Sequence, residues 1–270
     1  MLNPNQTDAD YLARALVLAE YGRYTTHPNP CVGCVLVQQG NIVGEGYHVS
    51  AGDMHAEANA LAQAGRRAKG ATAYVTLEPC SFHGRTPSCA DALVTAGVSR
   101  VVVATLDPDP RNAGAGCKTL EEAGISVVTP FMEASAKALI PGHFKRYETG
   151  MPYVRLKLAM SLDGKTALAN GESQWITGEP ARLDVQRLRA RSAAIVTGVQ
   201  SVIDDDPMLT VRELHHRHGA LACELNKSVF ILDSHCRVPD TAKILANPAA
   251  QLVCCHPSSR QLPVPVLQLG

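Results

Sequence analysis

The sequence predicts an α/β protein of two domains, and three observations carry that prediction. The chain is 270 residues long, more than one α/β domain of ordinary size needs. In both halves, helical spacing alternates with short β-branched runs, the pattern of βαβ units and parallel strands. The alternation pauses at 147–152, Tyr-Glu-Thr-Gly-Met-Pro, and then restarts. Domains are therefore expected at 1–146 and 147–270. A chain of this length buries on the order of 75% of its unfolded surface, so folding alone requires neither disulfide nor metal.

The first domain opens with a helix over 11–18, preceded by Asp8 and Asp10 and stopped by Gly22. Strands at 34–37 and 42–44 flank Gly40-Asn41, a hairpin signal. A helix over 56–68, a strand over 73–77, a helix from Ser88 and a strand over 100–105 follow. Then come a helix near 117–123, a strand over 125–129 and a last helix over 132–146. The sheet is expected to be largely parallel. The second domain reads as strand 153–160, helix 181–191, and strands 193–197, 229–232, 252–255 and 264–267.

Charge narrows the function. There are 25 basic and 25 acidic side chains, divided as 12 and 13 in residues 1–146 and 13 and 12 in the rest. Non-specific binding of nucleic acid needs a basic excess to neutralise phosphates, and none exists. Arg66, Arg67 and Lys69 read as a solvated helix face. No apolar run approaches the ~18 residues of a membrane span, and the N-terminus lacks the basic and apolar regions of a signal peptide. Nine cysteines, an odd number scattered along the chain, point to reduced thiols in a cytoplasm, some of them available to a metal.

The informative stretch is His55-Ala56-Glu57, then Glu78-Pro79-Cys80 and Cys89. One imidazole and two thiolates form a catalytic zinc set, because three protein ligands leave the fourth tetrahedral position to water. Zinc brings the pKa of that water to about 7, which suits hydrolytic displacement of an amine from an aromatic ring carbon. A carboxylate must then carry the proton, and Glu57 is the candidate. Residues two apart on a helix point roughly 200° away from each other, so His55 and Glu57 converge only if His55 opens its helix. Cys80 and Cys89 lie just before and at the start of the next helix, where thiolate is favoured. The zinc base-deaminase signature is H-x-E…P-C-x-x-C; here eight residues separate the cysteines instead of two. Cys31-x-x-Cys34 has no partner pair at ribbon-like spacing and reads as buried strand cysteine.

The second half has neither G-x-G-x-x-G nor a Walker A sequence. Its features are the run 157–165, the loop 171–177 with the only tryptophan, Trp175, the basic residues Arg187, Arg189 and Arg191, and Asp204-Asp205-Asp206-Pro207. The tryptophan loop is either solvated or a cover for a cofactor. The arginines are either a solvated face or a phosphate clamp. The three acids read as an exposed turn or cap.

Taken together, His55-Ala56-Glu57-Ala58-Asn59-Ala60-Leu61 and the run from Thr76 to Cys89 resemble the bifunctional riboflavin-biosynthesis deaminase/reductase family. So do Thr26-His27-Pro28-Asn29-Pro30, Gly44-Glu45-Gly46-Tyr47-His48 and Asp107-Pro108-Asp109-Pro110. The resemblance implies a cytidine-deaminase-like three-layer domain followed by a dihydrofolate-reductase-like domain. It implies zinc on His55, Cys80 and Cys89 with Glu57 as proton shuttle, and a pyrimidine and phosphate site lined by Asn29, His48 and residues 81–85. Phe82 stands where the family usually has a second histidine, and Cys31 where it has asparagine. In the second domain it implies NADPH contacts at Ala159, Trp175, Ser201, Asp205 and Ser234. Substrate contacts are implied at Ser173, Arg189, Leu209 and Arg212, with Lys157 facing the reacting ribose.

The expected reaction sequence starts from 2,5-diamino-6-ribosylamino-4(3H)-pyrimidinone 5′-phosphate. Deamination gives 5-amino-6-ribosylaminouracil 5′-phosphate, and NADPH then reduces the ribosyl group to ribityl. The partner is thus a small-molecule pyrimidine ribotide phosphate, with no nucleic acid or membrane, in a homo-oligomer. Family members continue for roughly another hundred residues through a Glu-Gly-Gly segment, a length the resemblance implies, so the second domain is expected to be incomplete. Two other readings compete. A zinc deaminase of nucleosides or RNA is opposed by the neutral first domain, and a structural-zinc nucleotide-binding module would close the fourth metal position with a protein ligand.

Overall fold

The computed structural model describes residues 7–82, 88–212, 227–255 and 260–269. The chain divides into two compact units, Met1–Arg155 and Leu156–Gly270.

In the first unit, helix α1 (Asp8–Glu20) begins where the Asp10 carboxylate accepts the Thr7 N–H at 2.9 Å. Strands β1 (Gly33–Gln38) and β2 (Asn41–Tyr47) form the expected antiparallel hairpin. Helix α2 (Ala56–Ala64) tightens into a 3-10 turn over Gly65–Ala68. Strand β3 (Thr72–Val75), helix α3 (Cys89–Ala96), strand β4 (Arg100–Val103), helix α4 (Ala115–Glu122) and strand β5 (Ser126–Val128) complete the alternation.

The sheet order is β2-β1-β3-β4-β5. It is mixed, not largely parallel: β3, β4 and β5 run parallel, whereas β1 is antiparallel to both β2 and β3. The β2-α2-β3 crossover does join strands of one direction, but β1 lies between them. The expected helix over 132–146 is two helices, α5 (Glu133–Leu139) and α6 (Pro141–Thr149). Pro141 has no N–H to continue the first helix and a φ suited to start the next. Helix α6 continues through the 146/147 boundary expected from the sequence.

Three layers follow from alternation along each strand. Val35 and Val37, Tyr74 and Val102 face Tyr11, Leu12 and Ala15 of α1. Cys34 and Leu36, Ala73 and Val75, and Val101 and Val103 face α2, α3 and α4. With both faces covered, the strands read as continuous apolar runs. Close approach is built from small residues. A Cβ on Gly33 would lie 2.0 Å from the Ala15 carbonyl oxygen, and one on Gly46 would lie 2.3 Å from that of Ala56. The stripe Ala56, Ala60, Ala64 therefore packs directly onto β2, which fixes the start of α2.

Two ion pairs among the described residues tie α1 to the sheet, and one of them joins Arg14 to Glu45 of β2 at 2.7 Å. In the other, Arg100 donates to both carboxylate oxygens of Asp8, at 2.8 and 2.6 Å, and the Tyr74 hydroxyl donates to the same carboxylate at 2.7 Å. The Arg100 guanidinium, more than the Tyr74 hydroxyl, holds the Asp8 carboxyl below the usual range. A depressed acid stabilises the fold fully above its unfolded pKa, near 4, and loses that contribution as pH falls through the folded value. We predict that Asp8→Asn lowers stability at neutral pH and flattens the acid limb of a stability–pH curve. An unchanged limb in urea titrations below about pH 4 would contradict this.

In the second unit, α7 (Glu179–Ala190), β6 (Ala194–Gly198), α8 (Val199–Asp205), β7 (Ser228–Leu232), β8 (Ala250–Cys254) and β9 (Val266–Gln268) occur in order. The four strands form an all-parallel sheet in sequential order. Its core gathers Val199, Val202, Val229, Ile231, Val238, Ile244 and Leu252. The strand expected over 153–160 is absent. That segment has no regular secondary structure, no described strand pairs with it, and Val154, Leu156 and Leu158 are exposed. A period-2 pattern supplies one side of a ladder; a strand exists only where a second segment accepts its hydrogen bonds.

Candidate active site

His55 is the N-cap of α2, so its ring projects past the helix start while Glu57 sits in the first turn. Cys89 is the first residue of α3, capped by the Ser88 hydroxyl, which accepts the Asp91 N–H. The Cys80 carbonyl is met by the Ser88 hydroxyl at 2.9 Å and the Ala90 N–H at 3.1 Å, and the Cys89 N–H points at Cys80 Sγ at 3.3 Å. Two helix starts thus bring one imidazole and two sulfurs together. Ligand atoms of His55, Cys80 and Cys89 all lie within 4.8 Å of one another, the only such metal-capable cluster among the described residues. His55 Nδ1 lies 3.3 Å from Cys89 Sγ and 3.7 Å from Cys80 Sγ. This donor set, three strong ligands with helix N-termini beside the sulfurs, fits zinc in its catalytic form.

The electrostatics agree. Hydrogen bonds from the Cys89 thiol and from His55 hold the Cys80 thiol well below its ordinary value, and the pair's proton stays on Cys89. Glu57 is 3% exposed. Burial, then the charge on Cys80, pushes its carboxyl up to about 7. His48 is buried beside His55, with ring centroids 5.3 Å apart. Burial lowers its pKa, and its neutral form suits its contacts. Nδ1 faces the Met54 carbonyl at 3.1 Å and must donate, so Nε2 accepts from Asn29 Nδ2 at 3.1 Å. Asn29 and His48 therefore stand next to the cluster, as one unit.

Of residues 81–85, Ser81 and Phe82 are placed, and 83–85 lie outside the described residues. Phe82 carries the Arg111 guanidinium 4.9 Å above its ring, with Arg111 paired to the buried Asp109. Cys31 and Cys34 are buried. Two buried polar residues to which the sequence assigned no role, Glu78 and Asn112, hold the Cys80 segment. The partners of their side chains lie 29 to 39 positions away, so no local pattern exposes them.

In the second unit, the Ser173 hydroxyl lies 3.4 Å from the Asp205 carboxylate, which brings together a residue expected to touch substrate and one expected to touch cofactor. Trp175 is exposed, with Arg182 4.6 Å over its ring. Ser201 lies in α8, just past the C-terminal end of β6, and Ser234 follows the end of β7. The C-terminal edge of parallel strands is where open α/β sheets take ligands, so these polar groups fit a dinucleotide. Arg189 donates to the Thr210 carbonyl at 3.3 Å, and the Arg212 N–H to Gln186 at 2.9 Å. Burial and then the neighbouring Arg212 charge depress the Arg189 pKa, so the two cations are neighbours, while Leu209 is half-buried against the core of the second unit. Lys157 and Ala159 lie on the segment before α7 that pairs with no described strand, with Lys157 exposed.

Residues 5–105 match the family Cytidine and deoxycytidylate deaminase zinc-binding region, and residues 152–262 match the RibD C-terminal domain. The riboflavin biosynthesis protein RibD of Escherichia coli is 55% identical over 246 residues, covering 89% of this chain and 67% of the relative. The chain belongs to the RibD family. The Haemophilus influenzae RibD is 50% identical, covering 95% of this chain and 71% of its own length. The solved structure of Acinetobacter baumannii RibD superposes with a TM-score of 0.89 at 49% identity, over 97% of this chain and 74% of that one. A Thermotoga maritima structure described as a diaminohydroxyphosphoribosylaminopyrimidine deaminase/5-amino-6-(5-phosphoribosylamino)uracil reductase gives 0.86 at 32% identity, over 96% and 73%. This RibD-family chain is accordingly a bifunctional enzyme of riboflavin biosynthesis, with a zinc-dependent deaminase domain and a reductase domain that uses NADPH. No described helix is long and apolar enough to cross a membrane.

Proposed function

We propose that the first domain deaminates 2,5-diamino-6-ribosylamino-4(3H)-pyrimidinone 5′-phosphate at a zinc held by His55, Cys80 and Cys89. The second domain then reduces the ribosyl group of the product, 5-amino-6-ribosylaminouracil 5′-phosphate, to ribityl. The observation that carries this reading is the convergence of those three ligand atoms within 4.8 Å beside a buried Glu57. Zinc, when bound, supplies acidified water and a Lewis acid at the amine-bearing carbon. Glu57 moves two protons: it takes one from the attacking water and gives it to the ring nitrogen, then takes the second from the hydroxyl now on the ring carbon and gives it to the departing amine as the carbon–nitrogen bond breaks. Water enters and ammonia leaves. A carboxyl pushed up to about 7 sits near the pH at which it must both accept and release. Asn29 and the neutral His48 orient the ring.

For the second step, Lys157, Ser173, Arg189, Leu209 and Arg212 are the proposed substrate contacts, and Arg with Ser suits a 5′-phosphate. Ala159, Trp175, Ser201, Asp205 and Ser234 are the proposed NADPH contacts, with the cofactor supplying hydride and the protein supplying orientation. We place the division near the sequence boundary at 146/147, assign the enzyme to the cytoplasm, and expect a homo-oligomer that takes no nucleic acid.

The ligand set is tested by metal analysis. The purified chain should carry about one zinc per protomer, and His55→Ala and Cys80→Ala should each lose most of it after dialysis. Full retention by either variant would remove that residue from the set.

A further inference from the structure

The segment carrying Cys80 is pinned by groups that take no part in the deamination chemistry. Glu78 is 3% exposed. Its Oε2 accepts the N–H groups of Asp107 at 3.0 Å and Gly114 at 2.9 Å, and its Oε1 those of Gly116 at 2.8 Å and Cys117 at 3.3 Å. Helix α4 is capped by Gly114, which has no side chain to satisfy its first N–H groups, so a carboxylate from another loop does so. Asn112 is 2% exposed. Its Oδ1 accepts both the N–H and the hydroxyl of Ser81 at 2.9 Å, and its Nδ2 donates to the Pro79 carbonyl at 3.3 Å. A Cβ on Gly116 would lie 1.9 Å from that same carbonyl oxygen, so the α4 backbone lies directly against Pro79. Residues 78, 79 and 81 are each fixed, and Cys80 is the residue between them.

We infer that Glu78 and Asn112 are positioning residues for the deaminase metal. Together with the 107–116 loop, they set the place of the Cys80 sulfur before metal arrives. The inference rests on the proposed role of Cys80 as a ligand. Fixing a thiolate beforehand removes part of the ordering that binding would otherwise demand, and changes to residues supporting a metal ligand typically cost 10–100-fold in affinity. In Glu78→Gln the shape is kept, but the amide nitrogen must face one of the two N–H pairs, donor against donor. In Asn112→Ala the Ser81 N–H and the Pro79 carbonyl lose their partner.

The test uses the full chain, with zinc affinity measured by chelator competition and Co(II) substituted for its thiolate charge-transfer band. Both variants should remain folded by circular dichroism, bind zinc about 10–100-fold more weakly, and show a weakened or shifted Co(II)–thiolate band. Glu122→Gln, on the exposed face of α4 and, among the described residues, ion-paired only with Lys118 at 3.7 Å, should match the parent in both. A purely structural role would lower the melting temperature yet leave the folded protein's zinc affinity and Co(II) band unchanged; that result overturns the inference. Cys80→Ala separates the two layers of argument. If it binds zinc like the parent, the ligand assignment itself is wrong, and the inference falls with it.

Discussion

Glu57→Gln should keep its zinc and lose deamination by about 10²–10⁴-fold, the range a positioned proton carrier contributes. The amide is nearly isosteric and stays in the first turn of α2, so the three metal ligands are undisturbed. What disappears is a group that can take the proton of water and hand it on. The second domain gives an internal control, because reduction of already deaminated substrate by NADPH should proceed as in the parent. Steady-state rates with each substrate, together with zinc content, decide the matter. Near-parent deamination would remove Glu57 from the mechanism, whereas loss of zinc would mean that it supports the metal instead.

Gly46→Ala should strongly disturb the helix that opens the site. Its Cβ would stand 2.3 Å from the Ala56 carbonyl oxygen and 2.5 Å from the Ala60 nitrogen, and both obstacles are backbone. Helix α2 must move away from β2, at a cost of about 1–3 kcal/mol or more for overpacking. Its first residues move with it, and these carry His55 and Glu57. A lower denaturation midpoint accompanied by weaker zinc binding is expected. Gly40→Ala is the contrast: Gly40 has φ +75° but nothing within 4 Å of an added Cβ. It should cost about 1 kcal/mol through the backbone alone and leave zinc binding untouched. Equal zinc affinity in both variants would sever the proposed link between helix seating and the metal site.

Much of this architecture is legible in the sequence, for reasons that can be named. A strand buried on both faces, such as Cys34 to Val37, shows as an unbroken apolar run, and α2 shows through its small-residue stripe. The metal cluster is legible because His55 and Glu57, two apart, can converge only over a helix start, and the structure places His55 at the N-cap. Pairing is what local pattern cannot give. The β2-α2-β3 unit is readable, but nothing near those residues announces that β1 lies between the strands. The run 153–160 has a strand's alternation and no described partner. Pro141, inside the segment 132–146, is a readable stop, and the structure breaks the helix there. Glu78 and Asn112 work through partners 29 to 39 positions away, and only the folded chain shows them. In the second unit the proposed contacts are single residues on separate elements, which spacing does not gather.

The most direct test of the account is the product mass after incubating the zinc-loaded chain with the diaminopyrimidine ribotide phosphate, with and without NADPH. Deamination exchanges an amine for an oxygen, and reduction adds hydrogens, so one spectrum separates the steps. The account predicts deaminated product without NADPH, and deaminated, reduced product with it. Unchanged substrate from a chain shown to hold its zinc would contradict the central claim that the His55, Cys80, Cys89 and Glu57 cluster is a pyrimidine deaminase site.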